Sequence, residues 1–244
     1  MKKIVRRLDA ERGVALVIAL MSTTLLLTLG GALILLSSSE TGIAANFRAA
    51  HEAKYAADAA IERTLADLRR ESDFTPILSG ALRSSFVDGL PSGTRTLADG
   101  ASVDLDQITN RANCNKTTFC SGTDLSATTT ERPWGANNPR WTLYVYGPLA
   151  NLLNGPIVRS GFYVVAFVGD DGSENDDDPV LDGFSVGSVP NPGRGVVRIR
   201  AEAFGSRNAH AVIEATVARI ERPPAVPGEQ PSTELRVLTR SDIR

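Results

Sequence analysis

The hydrophobic positions of the chain are concentrated in one run near the N-terminus. Residues 14–39 contain 26 positions without a charged side chain. As a helix that rises about 1.5 Å per residue, this run covers about 39 Å, more than the roughly 30 Å of hydrocarbon in a bilayer. Basic residues dominate the segment before it, so the positive-inside rule places that segment in the cytoplasm and the rest of the chain outside. The pattern predicts a transmembrane helix over 14–39.

A cleaved signal peptide and a plain uncleaved anchor are the alternatives to this interpretation. The apolar region of a signal peptide usually has about 7–15 residues and ends at a small-x-small site. The run in this chain is longer and ends in Ser-Ser-Ser-Glu-Thr-Gly at 37–42. The pattern therefore favours a retained helix.

A second, amphipathic pattern continues the first. Over 40–70, apolar residues recur at three- and four-residue steps with charged residues between them, and Pro76 follows. The stripe consists of Ile43, Phe47, Ala50, Ala53, Ala57, Ile61, Leu65 and Leu68. One helix is predicted from about residue 8 to about residue 70. Because alanine outnumbers leucine on the stripe, we expect it to dock on the chain's own C-terminal domain rather than form a free coiled coil.

The pattern changes to a period of two further along the chain. Residues 76–139 are rich in Ser, Thr, Gly, Asn and Asp, and β-type runs follow at 141–146, 162–168, 196–204 and 211–220. The third run alternates aliphatic residues with Arg198, Arg200 and Glu202, which predicts one buried and one solvated face and hence an antiparallel sheet. Residues 205–208 fit a hairpin turn between the last two strands.

These patterns together predict an α+β fold, with a long N-terminal helix docked on a C-terminal antiparallel β-sheet head. The expected organisation is a basic leader at 1–13, the transmembrane helix at 14–39, its amphipathic continuation at 40–70 and the β-rich head at 76–222. A Pro-rich tail and C-terminal segment at 223–244 complete it.

Composition excludes several classes of protein. The net charge of −2 gives no general reason to expect a nucleic-acid partner, and 42% hydrophobic with 22% charged residues excludes wholesale disorder. Two cysteines and two histidines exclude a disulfide-dense scaffold, a Cys₄ zinc site and most His-rich metal sites.

Three short segments in sequence order resemble a known family. They are Arg-Gly-Val-Ala-Leu-Val-Ile-Ala-Leu at 12–20, Glu-Thr-Gly-Ile-Ala-Ala-Asn at 40–46 and Ala-Ala-Asp-Ala-Ala-Ile-Glu at 56–62. In this order and spacing they resemble the N-terminal region of PilX-type minor pilins of the type IV pilus, over about the first 65 residues. The head carries no comparable resemblance.

The resemblance implies a pathway for the chain. Prepilin peptidase would cleave after Gly13, and the new N-terminus at Val14 would be methylated. The protein would be a single-pass inner-membrane protein with a periplasmic head, and would then enter a pilus fibre on the cell surface through helix packing. The implied partners are other pilins and minor pilins, the inner-membrane assembly machinery and the lipid bilayer, with no enzymatic activity. The residues expected in fibre or membrane packing are Ile18, Gly30, Gly31, Ile43, Phe47, Ile61 and Leu65.

The chain departs from the usual pilin pattern at Val14, where Phe is commonest, and at Ile18, where most pilins carry Glu. A free amine in hydrocarbon is a costly buried charge unless a carboxylate pairs with it. In the pilins that the chain resembles, the glutamate of the incoming subunit provides that carboxylate. A subunit with Ile18 cannot neutralise a neighbour already in the fibre, which predicts a position at or near the fibre tip or in an initiating complex.

An acidic cluster is the candidate metal site. Carboxylates at alternate positions can converge on a hard cation such as Ca²⁺, although a solvated loop between strands explains the same pattern. The candidate ligands are Asp170, Asp171, Glu174, Asp176 and Asp178. An EF-hand is excluded because Pro179 and Ser185 stand where Gly and Glu are required. No other cofactor is expected.

Cys114 and Cys120 enclose five residues. If the head lies outside the inner membrane, the oxidising compartment favours a disulfide, and two free thiols are the alternative. Residues 183–187 match the G-x-S-x-G pattern of hydrolases, but the Pro-rich segment that follows cannot begin the helix which that motif requires. Other functions compatible with the sequence are a tip pseudopilin of a type II secretion system and a membrane-anchored periplasmic binding module.

Overall fold

The computed structural model describes most of the chain as two compact units. The described residues are 2–97, 99–152, 160–173, 178–183, 195–222 and 232–243. The first unit ends at Arg48 and the second begins at Ala49. The helix α1 (Lys2–Leu68) supplies the first unit and the beginning of the second.

Several Ser and Thr hydroxyls in the apolar part of α1 bond to carbonyls of the same helix. The Ser22 hydroxyl donates to the Ile18 carbonyl at 2.8 Å, and the Thr28 hydroxyl donates to the Leu25 carbonyl at 2.8 Å. Such bonds satisfy hydroxyl groups where water is absent. By length and composition, α1 contains a stretch that could span a membrane, with a mean hydropathy of 2.1 over its most apolar window. The transmembrane prediction is consistent with this finding.

The second unit joins residues 49–68 of α1 to a sheet and several short elements. The short elements are α2 (Thr75–Leu78), β1 (Thr94–Thr96), β2 (Ser102–Asp104), α3 (Leu105–Cys114) and α4 (Gly122–Leu125). The main strands are β3 (Thr142–Pro148), β4 (Tyr163–Asp170), β5 (Val196–Phe204), β6 (His210–Arg222) and β7 (Ser232–Ile243). They form an antiparallel sheet in the order β3-β4-β5-β6-β7. The predicted α+β fold with an antiparallel sheet is confirmed.

One face of the sheet is covered by α1 and α2. The helix contributes small and branched apolar residues to this layer, with Ala57, Ala60 and Ile61 fully buried. They pack with alternate residues of the sheet, including Ile199 on β5 and Val217 on β6. Alanine at the contact lets the helix backbone approach the strands closely, since it adds only a methyl group. The predicted docking of the stripe on the chain's own sheet is confirmed.

The other face is covered only in part. A layer containing Leu105 and Ile108 of α3 packs on Val165 and Phe167, so all of β4 is buried. The predicted solvated face of β5 is wrong at Glu202, which is 5% exposed, because its carboxylate pairs with neighbouring cations rather than with water.

The second layer comes from the polar segment at 76–139, for which the sequence pattern predicted no helix or strand. The Asp104 side chain caps α3 by accepting from the Gln107 amide at 2.9 Å. Near the other end, the Asn113 side chain accepts from the Trp141 amide at 2.8 Å and donates to the Trp141 carbonyl at 2.9 Å. These two hydrogen bonds attach α3 to Trp141, the residue immediately before β3. The strand β7, in the predicted tail, was also missed.

Candidate functional site

The predicted processing residues lie in the exposed first unit. Gly13 and Val14 are part of α1, and Val14 is 59% exposed. A Cβ atom added at Gly13 would meet no other group within 4 Å. The requirement for glycine therefore does not come from the packing of this chain. Cleavage after Gly13 and methylation at Val14 stay predictions.

The structure divides the predicted packing residues into two groups. Ile18, Ile43 and Phe47 are 58%, 69% and 66% exposed, and Gly30 and Gly31 lie on the same part of α1. These apolar side chains are exposed on α1. Contiguous exposed apolar surface is typical of an interaction site.

The second group is already used within the chain. Ile61 is 0% exposed and Leu65 is 2% exposed, and both belong to the core between α1 and the sheet. Their side chains cannot pack on a neighbouring helix while the head is folded. We therefore assign Ile61 and Leu65 to the stability of the head rather than to a contact between subunits.

The two cysteines form a disulfide at the end of α3. Cys114 and Cys120 have Cα atoms 6.0 Å apart, and the enclosed Phe119 is 85% exposed. The loop is also held by an ion pair between Lys116 Nζ and Asp124 Oδ1 at 2.6 Å. The hydrogen bond from Lys116, followed by bonds from Ser121, lowers the pKa of Asp124 to about 2. The carboxylate thus remains charged across the physiological range.

The acidic cluster is not assembled into a metal site by the described residues. Asp170 ends β4 and is 1% exposed, whereas Asp171 accepts from the Ser173 hydroxyl at 2.7 Å. Asp178 accepts from the Val180 amide at 3.2 Å. Glu174 and Asp176 lie outside the described residues. Within the described part of the chain, no group of three His, Cys, Asp or Glu side chains could hold a metal ion. Calcium binding stays a prediction.

Asp182 has a structural role that sequence reasoning missed. Its carboxylate accepts from the Phe74 amide at 3.0 Å and from the Gly195 amide at 2.7 Å. Arg219 Nη1 lies 3.6 Å from the same carboxylate, and its guanidinium stacks over the Phe74 ring at 3.9 Å. This buried group joins the end of the helical layer to β6. No local pattern around Asp182 indicated these contacts, which connect segments far apart in sequence.

A row of alternating charges crosses the second face of the sheet. His210 Nε2 lies 3.0 Å from Glu202, and Arg200 contacts both Glu202 at 2.8 Å and Glu214 at 3.0 Å. Arg198 continues the row with a 2.7 Å contact to Glu214. Burial raises the pKa of Glu202, but the nearby His210 and Arg200 outweigh it and hold that pKa below its ordinary value.

This row ends against two tryptophans. The guanidinium of Arg198 lies 5.6 Å from the centre of the Trp134 ring and 5.5 Å from that of Trp141. The contact is a cation–π interaction on each side. Because Arg198 and Arg200 are both paired with carboxylates, this part of the β5–β6 hairpin is a mixed polar surface.

The hydrolase-like motif lies almost wholly outside the described residues. Gly183 is described, with φ of 50°, and 184–187 are not. The exposed side chain of His210 makes its hydrogen bond to Glu202 within the row of charges.

Comparison with known proteins identifies the N-terminal part of the chain. Residues 12–62 match the family model described as PilX N-terminal. Over this segment the chain is similar to the PilX N-terminal domain, and the predicted resemblance is confirmed. The match covers about a fifth of the 244 residues and ends inside α1. No curated protein and no solved structure matches the chain.

Proposed function

We propose that the chain is a minor pilin-like structural protein that takes part in type IV pilus assembly at or near the fibre tip and presents its β-rich head for interaction. The observation that carries this proposal is the coincidence of two features. The PilX N-terminal match covers 12–62, and the side chains from Val14 to Phe47 within it are largely exposed and apolar. The domain is thus pilin-like in sequence and exposes apolar side chains on its helix.

Hydrophobic packing of α1 is the proposed mechanism of assembly. In the bilayer, lipid covers the apolar side chains of residues 14–39, and in the fibre the helices of other pilins replace the lipid. Gly30, Gly31 and the threonines permit close approach of two helices, as small residues do in membrane helix pairs. The head remains folded through this exchange, since its core uses a separate part of the helix, from Ala53 to Leu68.

The proposed topology follows from charge and from the family. The basic leader at 1–13 stays in the cytoplasm until prepilin peptidase removes it, and the head lies in the periplasm. The disulfide between Cys114 and Cys120 supports this side assignment, because disulfides persist in oxidising compartments. The proposed partners are other pilins, minor pilins and the inner-membrane assembly machinery, and the protein acts without catalysis.

Ile18 is the basis of the proposed tip position. Its side chain is apolar and 58% exposed, and it supplies no carboxylate to a neighbouring amine. A subunit of this kind can accept a glutamate from the next subunit at its own N-terminus but cannot offer one to a subunit above it. This asymmetry favours the first position in a fibre over a position along its length.

Mass analysis of the membrane protein tests the pilin class. We expect a mature chain that begins at methylated Val14 in cells with prepilin peptidase, and an unprocessed chain in cells without it. A chain that still contains the leader in both strains would contradict the proposal and leave a membrane-anchored module. A chain that begins near residue 40 in both would indicate a secreted protein and would contradict it as well.

Localisation of labelled variants tests the tip position. We expect the wild-type protein at fibre ends and Ile18→Glu along the fibres, because the added carboxylate permits incorporation behind another subunit. Val17→Glu is the matched control: it adds the same charge one position away, on a different side of the helix, and should not spread along fibres. Uniform labelling by the wild-type protein would exclude a tip position.

A further inference from the structure

The strand β7 is attached to the head with little apolar burial. It pairs with β6 from Val212↔Ile243 to Arg222↔Ser232, and within the described residues its other edge pairs with no strand. Its apolar side chains are largely exposed, with Val237 at 39% and Leu238 at 50%. Among the β7 side chains that the structure describes, Leu235 is the one that packs against the core.

Ion pairs to α1 add a second attachment. Lys54 Nζ lies 2.7 Å from Asp242 Oδ2, with the two side chains 45% and 54% exposed. Arg240 contacts two carboxylates at once, Glu62 at 3.1 Å and Asp58. Pairs that are exposed to this degree are weak individually and are screened by salt.

The charges of the two elements match in spacing. Lys54, Asp58 and Glu62 follow one another at intervals of four residues, so they form one flank of the helix. Arg240 and Asp242 are two residues apart on β7, so both side chains point to the same face of the sheet, toward α1. We call these five residues the clasp.

The segment between β6 and β7 is longer in sequence than the turn between β5 and β6. β5 and β6 are joined by 205–209, where the Gly205 amide donates to the Ala209 carbonyl at 2.8 Å. The sequence between β6 and β7 is Pro-Pro-Ala-Val-Pro-Gly-Glu-Gln-Pro at 223–231. This sequence is longer than the two-residue turns that hold hairpin strands together. Within the described residues, β7 is attached by its ladder to β6, by Leu235 and by the clasp.

We propose that β7 is a releasable strand, which the clasp holds closed against α1 and which opens as a unit while β3, β4, β5 and β6 stay folded. Opening leaves the core intact, because the core packs without β7 except at Leu235. It uncovers the backbone edge of β6, a surface that can pair with an extended segment. It also frees the clasp residues on the flank of α1. Salt promotes opening by screening the clasp. This device does not depend on the proposed pilus function.

Hydrogen-exchange mass spectrometry of the full chain in detergent micelles tests the proposal. The rate over β7 is compared with the rate over β5, which reports on the folded sheet. We expect β7 to exchange at least about tenfold faster than β5, as local opening does compared with global unfolding. Raising NaCl from about 0.01 M to about 1 M shortens the Debye length from roughly 30 Å to roughly 3 Å, and should accelerate β7 alone, by about threefold.

Substitutions test whether the clasp controls the opening of β7, or whether β7 opens only because it is an edge strand. Arg240→Gln removes two of the ion pairs and should raise the β7 rate about threefold at low salt, with a smaller response to added salt. Arg236→Gln is the matched control, since it removes the same charge from the same strand but does not touch the clasp. The double variant Lys54→Asp/Asp242→Lys swaps the two charges and keeps an ion pair between these positions. Its β7 should exchange at the wild-type rate. Unchanged exchange over β5 shows that each variant is folded.

Two results would overturn the proposal. One is equal exchange over β7 and β5 at every salt concentration, which would show that β7 opens only when the whole sheet unfolds. The other is equal acceleration by Arg240→Gln and Arg236→Gln, which would show that the clasp does not control the strand.

Discussion

The two halves of α1 have similar helical form and opposite environments. Around Ile43 and Phe47 the apolar side chains are exposed, whereas around Ile61 and Leu65 they are fully covered by the chain's own sheet. Periodicity alone treats both as one stripe. The comparison shows that one part of this stripe stays exposed in the structure and the other part forms the core of the head.

The difference in side-chain size supports this division. The exposed part before residue 40 is rich in leucine, and the part in the head is rich in alanine, with Ala53, Ala56, Ala57 and Ala60 buried. Large side chains suit contact with lipid, while alanine suits close contact between a helix and a sheet.

The largest expected effect comes from truncation in the two halves. Ile61→Ala removes a fully buried side chain and should lower the free energy of unfolding of the head by about 3 kcal/mol. Ile43→Ala, at a side chain that is 69% exposed, should change it by less than about 0.5 kcal/mol. Denaturant titration in micelles, followed by tryptophan fluorescence, measures both. Equal losses would show that the two halves share one core.

A smaller effect on head stability is expected when an alanine of α1 is replaced by leucine. Ala57→Leu introduces a large side chain into the contact between helix and sheet and should cost about 1–3 kcal/mol of head stability. Ala32→Leu makes the same change at an exposed position and should leave head stability unaltered. The same titration applies. If Ala57→Leu were tolerated without loss, the inference of close packing at alanine would be wrong.

The smallest expected effect is the loss of head stability at low pH. The pKa of Glu202 is lower in the folded head than its ordinary value of 4.5, so its contribution to stability is present above that value and is lost as the pH falls through the folded pKa. Residues 14–39 contain no titratable side chain. Mild acid should therefore weaken the head while the circular dichroism of the apolar helix persists.

The control for this prediction is Glu202→Gln, which keeps the shape of the side chain and removes its charge. This variant should be less stable than the wild type near neutral pH and should lose less stability between about pH 5 and pH 3, since one of the titrating groups is gone. Urea titration at several pH values measures both quantities. An acid response identical to that of the wild type would show that Glu202 does not contribute to it.

Periodicity predicted the elements whose pattern comes from burial on one face. β5 was predicted with the bounds that the structure has, and the end of α1 was predicted within two residues. α3 was missed because its helical signal lies within a polar segment and its attachment depends on Asn113, which meets β3 across 28 residues of sequence. β7 was missed because its residues are mostly exposed and do not alternate in hydrophobicity.

The candidate site, like the fold, was predictable only where it depends on local sequence. Gly13, Val14 and Ile18 were selected from short local segments, and their roles in processing and packing stay predictions. The contacts of Asp182 with Phe74, Gly195 and Arg219 could not be predicted, since all three partners are distant along the chain. The clasp is similar: its helix residues have helical spacing, but nothing local indicates that Arg240 and Asp242 lie beside them.

The sequence by itself determined that the chain has a long apolar helix, a pilin-like N-terminus and an antiparallel sheet, because hydrophobic periodicity and short motifs are local properties. Only the tertiary structure decided which part of the stripe is core and which stays exposed, that Glu202 is buried, and that β7 closes on α1 through charged residues. Burial and ion pairing depend on what the rest of the chain brings to a residue. That depends on contacts between segments far apart in sequence, which no local pattern specifies.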